Sequence, residues 1–265
     1  RGEARGLQEF RLVIDGDLSS AMTVPVGRNG RWTAKVDTSR MVDPKVEHSV
    51  VGWQGEGGVV SAPFHFRVSR QWQTLADVAD PAGDDRGRAL NYSYPRDDSW
   101  SGRTADIQKV RVEGAGGALR ITLTMADISR SWNPPNGFDH VAFTIFIQLP
   151  DASGGARAMP GQNAELPGDM RWHIRLRSHG WSNALHAADG ASASSEGRAA
   201  TPAAGIEVDP EARTISFTLS AAALGGLDSL AGARIFVSSW DFDGGFRPLT
   251  AQPGGASFGG GDGAR

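Results

Sequence analysis

Short segments in which apolar and polar residues alternate recur along the chain, and they restrict its fold to β-structure. In "LRITLTM" (119–125) every second residue is apolar, which predicts a strand with one buried face. The segments "VAFTIFIQL" (141–149), "RWHIRLR" (171–177) and "ISFTL" (215–219) repeat this pattern. The 35 glycines and 14 prolines supply turns between such segments, and only "SAAALGG" (220–226) predicts a short helical turn. The sequence therefore predicts an all-β protein.

The 265 residues exceed what one core usually organises, so we expect two β-sandwich domains, a small one followed by a larger one. Alternating segments upstream of residue 69 predict the first domain over 1–70, with Asn29-Gly30 as the tight turn of a β-hairpin. A polar stretch between Ser69 and Leu75 predicts the boundary, and the second domain then spans 72–265.

Charge, cysteine content and hydropathy exclude several classes of function. A net charge of −3 with no basic tract gives no reason to expect a nucleic acid partner. The absence of cysteine excludes disulfides, thiol catalysis and Cys-ligated zinc. No apolar run is long enough to span a bilayer, so we expect no membrane insertion. The chain starts without methionine or a signal peptide, and we expect it to be a piece of a longer protein.

Two acidic turns are candidate calcium sites. Asp80, Asp84 and Asp85 lie in "DPAGDDRG", where proline and glycine force a tight path that can gather carboxylates around one centre. Asp241 and Asp243 in "WDFDGG" begin a weaker pattern of the same kind. The alternative is that these aspartates cap turns through hydrogen bonds to their own backbone. Calcium is the predicted cofactor at the first turn.

Two loops combine an indole ring with amide side chains, a combination that suits sugars because a pyranose has apolar faces and a rim of hydroxyls. Trp132 stands beside Asn133 and Asn136 in the stiff loop "SRSWNPPNGF". Trp181 precedes Asn183 in "HGWSN". These five residues form the predicted ligand-binding set. The alternative is that both rings cover a sheet edge.

Other aromatic and basic residues are predicted to be structural. Trp172 alternates with apolar residues and is expected in the core, and Tyr92 and Tyr94 share strand parity and are expected to pack. A row of basic residues on the strand face opposite Trp172 predicts that this face of the sheet is solvated. Its members are Arg171, His173, Arg175 and Arg177.

Ordered motifs across residues 72–265 resemble the C-terminal binding-module family of glucodextranase. They are "DPAGDDRGRALNYSYP", "SWNPPNGFDHVAFTIFI", "SSWDFDGGFRPL" and "SFGGGDG". The resemblance implies a jelly-roll sandwich related to family 9 carbohydrate-binding modules and DOMON domains. Residues 1–70 are similar to the later strands of an immunoglobulin-like or fibronectin-like bacterial spacer.

The resemblance implies a non-catalytic accessory module of a secreted bacterial glycoside hydrolase, located outside the cell or at its surface. Its partners would be an α-glucan or cell-wall glycan and the catalytic domain of the parent enzyme. A calcium-stabilised structural domain without glycan binding is the alternative. Some DOMON relatives hold haem, for which Met125, Met170, His140 and His173 are available, but no attachment motif exists and we expect no haem.

Overall fold

A computed structural model describes residues 1–43, 46–87, 90–100, 102–242 and 245–261 of the chain. Within these ranges the regular structure consists of β-strands and short 3₁₀ helices, so the all-β prediction is confirmed. The chain divides into two compact units, residues 1–70 and residues 71–265.

The first unit contains a four-stranded antiparallel sheet of order β3-β2-β5-β6 and a two-stranded sheet β1-β4. Its strands are β1 (Gly2–Glu3), β2 (Glu9–Ile14), β3 (Asp17–Pro25), β4 (Arg31–Trp32), β5 (His48–Trp53) and β6 (Phe64–Phe66). Phe10, Leu12 and Val24 form its buried core, and the ring of Trp32 packs edge to face on Phe10 at 5.1 Å.

The predicted turn at Asn29-Gly30 forms, but it does not close a hairpin. Gly30 has a φ of 75°, and the side-chain oxygen of Asn29 accepts a hydrogen bond from the Arg31 amide at 3.1 Å. The strands on either side of the turn, β3 and β4, belong to different sheets. The hairpin prediction was therefore wrong, because the turn forms but β4 pairs with β1.

The second unit is built on two five-stranded antiparallel sheets, of order β16-β17-β9-β8-β7 and β15-β14-β13-β10-β18. A short pair, β11-β12, lies outside both sheets. The strands are β7 (Gln73–Ala79), β8 (Ile107–Ala115), β9 (Ala118–Met125), β10 (Ala142–Gln148), β11 (Ala158–Met159), β12 (Ala164–Glu165), β13 (Ile174–His179), β14 (Ser182–Ala187), β15 (Arg198–Ala200), β16 (Gly205–Asp209), β17 (Thr214–Leu219) and β18 (Arg234–Trp240). The 3₁₀ helices are Asp84–Arg86, Asp98–Trp100 and Ala222–Leu224. The last of these confirms the predicted helical turn.

Apolar residues from both sheets meet in one core, as in a β-sandwich. Ile121 and Leu123 of β9 and Phe217 of β17 are fully buried from one sheet, and Phe143 and Ile145 of β10 are fully buried from the other. Strand β9 alternates between buried and half-buried residues along its length. The predicted period of two is therefore confirmed for this strand.

The outer face of β10 is also buried, which its alternation did not predict. Phe146 packs there with Trp172 and with Met159, Leu166 and Met170 from the segment before β13. Trp172 is in the core as predicted, although it lies in this second cluster, and its indole N–H donates to the Ala158 carbonyl at 2.8 Å.

The prediction that the basic row is solvated was wrong at Arg175, whose side chain is fully buried. Arg175, Arg177 and His186 converge on the carboxylate of Glu196, with the shortest contact 2.7 Å from Arg177 Nε. Burial lowers the pKa of Arg175 despite the charge of Glu196. The loop that carries Glu196 covers this face, and a strand pattern gives no sign of such a cover.

Candidate functional site

The register of the second sheet brings three separate loops to one of its ends. In the antiparallel pairing Phe143 lies opposite Ser178, and Ala142 lies opposite Trp240. Strand β10 therefore begins where β13 and β18 end. The loop before β10 (126–141), the turn after β13 and the segment after β18 consequently meet at this end.

Trp132 and Trp181 stand side by side at this end of the sheet. Their ring centroids lie 6.3 Å apart with the planes tilted by 37°. The two residues are 49% and 53% exposed, which is unusual for side chains of this size. The two indoles that the sequence singled out thus form one exposed aromatic pair, although they lie almost 50 residues apart.

Close packing fixes the two tryptophan loops to each other. The side-chain amide of Asn136 donates to the carbonyl oxygens of His179 and Ser182, at 2.7 and 3.2 Å. A Cβ at Gly180 would lie 2.7 Å from the Phe138 carbonyl, so only glycine permits this approach. Asn136 is therefore a brace between the loops.

The remaining two predicted amide residues also have backbone roles. Asn183 donates its side-chain amide to the Ala204 carbonyl at 2.6 Å. Asn133 has a φ of 49°, a left-handed conformation that asparagine tolerates better than most residues, and so turns the chain directly after Trp132. Of the five predicted ligand-binding residues, Trp132, Asn133 and Trp181 are exposed, and Asn136 and Asn183 are half-buried.

The His140 ring supports the Trp132 ring, a role that the sequence analysis did not predict. The two rings stack with centroids 4.1 Å apart and planes 25° from parallel, and Trp100 packs edge to face on His140 at 4.4 Å. Nδ1 of His140 lies 2.5 Å from a carboxylate oxygen of Asp139, and Nε2 lies 3.0 Å from the Ser99 hydroxyl. Both ring nitrogens are therefore held in place.

Asp139 ties this buried group together. Its second oxygen accepts the Trp132 backbone N–H at 2.7 Å. Burial raises the pKa of Asp139, but hydrogen bonds from Ser129, from the Trp132 amide and from His140 outweigh burial, so its pKa lies below the ordinary value. Asp139 is thus a buried carboxylate that is charged at neutral pH and fixes Trp132 at its backbone.

A cavity of about 250 Å³ opens beside the indole pair. Besides the two indoles, its lining includes His179, Asp241 and Arg247. Asp241 is buried, with a carboxylate oxygen 3.6 Å from Arg247 Nη1. The second predicted calcium turn thus contributes Asp241 to the cavity, while Asp243 lies outside the described residues. Indole faces together with charged hydrogen-bonding groups suit a polyhydroxylated ligand.

A larger cleft of about 910 Å³ lies between the edge strands of the two sheets. It is lined mainly by aliphatic side chains, including Leu75, Val78, Val110, Ile235 and Val237. Such a lining offers few hydrogen-bond partners to a sugar, so the indole end of the sheet is the better candidate site.

The three predicted calcium ligands have different surroundings. Asp85 has a fully buried carboxylate that pairs with Arg103 and accepts the Tyr94 hydroxyl at 2.6 Å. Burial and this hydrogen bond raise the pKa of Tyr94. The charge of Asp85 is therefore already balanced within the protein.

Asp80 and Asp84 lie near Asp106, which the sequence did not single out. Burial, then the charges of Asp84 and Asp106, raise the pKa of Asp80. The pKa of Asp106 is also raised, mainly by burial, although its oxygens accept the Gly83 amide at 3.1 and 3.2 Å. Among the described residues, no group of three or more His, Cys, Asp or Glu side chains is arranged to hold a metal ion.

Comparison with known families identifies the larger unit. The model of a family described as the C-terminal binding-module, SLH-like, of glucodextranase matches residues 75–265. The chain belongs to this family. The resemblance predicted from the motifs is thereby confirmed, and the family indicates a non-catalytic, carbohydrate-binding accessory module. No curated protein matches the chain. In the described ranges, no helix is long and apolar enough to cross a bilayer.

Proposed function

We propose that the larger unit binds an α-glucan or a cell-surface glycan as an accessory module of a secreted bacterial glycoside hydrolase. The observation that carries this proposal is the exposed pair Trp132 and Trp181 beside a cavity that Asp241 and Arg247 also line. An indole face packs against the apolar face of a pyranose, while charged groups below accept and donate hydrogen bonds to its hydroxyls. The α-glucan is proposed because the family takes its name from glucodextranase.

The module would raise the local concentration of a linked catalytic domain at its substrate, an effect of tethering. Residues 1–70 would serve as an immunoglobulin-like spacer, and residues 72–265 as a sandwich related to family 9 carbohydrate-binding modules. Both parts would act outside the cell or at its surface.

Affinity electrophoresis tests the proposal with the intact chain. Native gels that contain dextran, a linear α-1,4-glucan or a cell-wall glycan are compared with gels without polysaccharide. We expect retardation by one of these glycans that free oligosaccharide of the same linkage reverses. Unaltered migration in every gel would support the alternative of a structural domain without glycan binding.

We also propose that calcium binds between Asp80, Asp84 and Asp106. Calcium takes about six to eight oxygen ligands in flexible geometry, and these three carboxylates would supply part of that coordination. The raised pKa values of Asp80 and Asp106 support this proposal, because burial and the neighbouring carboxylates disfavour the charged forms, which a bound cation would stabilise. Asp85, which pairs with Arg103, would hold the loop in place.

Asp80→Asn is expected to have opposite effects with and without calcium. In chelator the variant should melt about 2 °C higher than wild type at pH 7, because a partly buried carboxylate that Asp84 and Asp106 repel is removed. A carboxyl with a raised pKa adds stability at low pH that is lost as pH rises through that pKa, so the gain should shrink in acid. Calcium should raise the melting temperature of the wild type and leave Asp80→Asn unchanged. Equal calcium shifts in both proteins, or none, would contradict this site.

A further inference from the structure

Another cavity, of about 650 Å³, lies next to the cavity of about 250 Å³ beside the indole pair. Its lining includes the aromatic residues Tyr92, Trp240 and Phe246 and the polar residues Gln162 and Ser238. Its volume falls within the range of about 300–1,000 Å³ that is common for small-ligand pockets. None of these residues belongs to the predicted ligand-binding set.

The polar side of this cavity has an unused hydrogen-bonding group. Ser238 of β18 lies opposite Thr144 of β10, and the Gln162 side chain donates to the Thr144 hydroxyl at 3.0 Å. The hydroxyl oxygen of Ser238 is buried and has no hydrogen-bond partner among the described residues. A buried polar atom without a partner is costly, and rotation of the Ser238 side chain toward the cavity would let its hydroxyl bond a ligand there.

The aromatic side is held in a defined arrangement. Trp240 packs edge to face with Tyr92, at a centroid distance of 5.9 Å, and its indole N–H donates to the Arg247 carbonyl at 2.8 Å. Phe246 packs edge to face with Phe242 at 5.1 Å. Fixed rings on one side and hydroxyl and amide groups on the other match the two kinds of surface of a pyranose.

The two cavities adjoin each other at Arg247, which lines both. Phe242 lines the cavity beside the indole pair, Phe246 lines the cavity of about 650 Å³, and their rings are in contact. We propose that the cavities are neighbouring subsites of one extended site for a glucan chain of several sugar units. One sugar would rest on Trp132 and Trp181, and a further sugar would hydrogen-bond Ser238 and Gln162. This inference rests on the proposed function.

Calorimetric titration with α-linked gluco-oligosaccharides of increasing length tests the extended site. We expect the wild-type affinity to rise about tenfold or more once the chain is long enough to reach both cavities, because the second contact becomes intramolecular. Ser238→Val and Phe246→Ala should abolish this gain, and Ser238→Val should leave the affinity for a disaccharide unchanged. Ser194→Val, at an exposed serine in another loop, should behave as wild type.

The variants separate failure of this inference from failure of the proposed function. If Trp181→Ala weakens binding while Ser238→Val and Phe246→Ala keep the full length gain, the extended site is wrong and the indole platform stands. Absence of binding at every length contradicts both. If a variant does not fold, the indole N–H resonance of Trp240 in the wild-type protein provides the test. It should shift when a long oligosaccharide is added and stay unchanged when the disaccharide is added. A Trp240 resonance that long oligosaccharides do not shift overturns the inference.

Discussion

Trp181→Ala should weaken glycan binding by about 30-fold or more, the effect of losing an interface anchor that contributes about 2 kcal/mol. Half of this residue is exposed, so its removal deletes a stacking surface with little loss of internal packing. Trp132→Ala should weaken binding at least as much, and it should also lower stability because the ring covers His140.

The matched control is Trp53→Ala, which removes a half-buried indole that packs with Arg11 in the first unit. Calorimetric titration of the three variants with the retarding glycan, alongside thermal melts, provides the comparison. We expect Trp181→Ala to lose affinity at an unchanged melting temperature and Trp53→Ala to retain the wild-type affinity. Equal affinity of Trp181→Ala and wild type would exclude the indole pair as the platform.

Asp139→Asn should lower the free energy of unfolding by about 3 kcal/mol at pH 7, because a buried charged acceptor is removed from several donors. The Trp132 amide loses its strong partner at 2.7 Å, and the His140 ring loses its contact at 2.5 Å. Because these two contacts hold the Trp132 ring in place, the variant should also bind glycan more weakly.

The loss of stability caused by Asp139→Asn should become smaller as the pH falls. The folded-state pKa of Asp139 lies below the ordinary value, so its stabilising effect is complete above the pKa of the unfolded state, about 3.9 for aspartate. The effect is lost as pH falls through the folded-state pKa. Urea unfolding at pH 7, 4 and 3 should therefore show a shrinking difference between wild type and Asp139→Asn.

Asp151→Asn is the control for this series, since Asp151 is exposed and its φ of 54° suits asparagine equally well. It should leave stability within about 0.5 kcal/mol of wild type at each pH, as most surface substitutions do. A loss in Asp139→Asn that is the same at pH 7 and pH 3 would show that the charge of Asp139 is unimportant.

Features with a local cause could be predicted from the sequence. Strand β9 alternates as expected because a period of two reflects only the pleat and one buried face. The exposure of Trp132 and Trp181 follows from their place in turns rich in proline, glycine and asparagine. That they form a pair depends on the register of β10 against β13, which their own loops do not encode.

Features that depend on distant residues could not be predicted. Ser99 reaches His140 across 41 positions, and nothing near either residue marks the contact. Asp85 had the right chemistry for calcium, but Arg103, 18 positions away, neutralises it. Arg175 was expected in solvent because its alternation on β13 is the same whether a loop covers that face or not.

Binding of a glucan oligosaccharide can be followed through the eight indole N–H resonances of the protein. We expect saturable shifts of Trp132 and Trp181, with the fully buried Trp172 unchanged. Saturable binding that leaves the resonances of Trp132 and Trp181 unperturbed would exclude the indole pair as the binding surface and place the glycan elsewhere on the molecule.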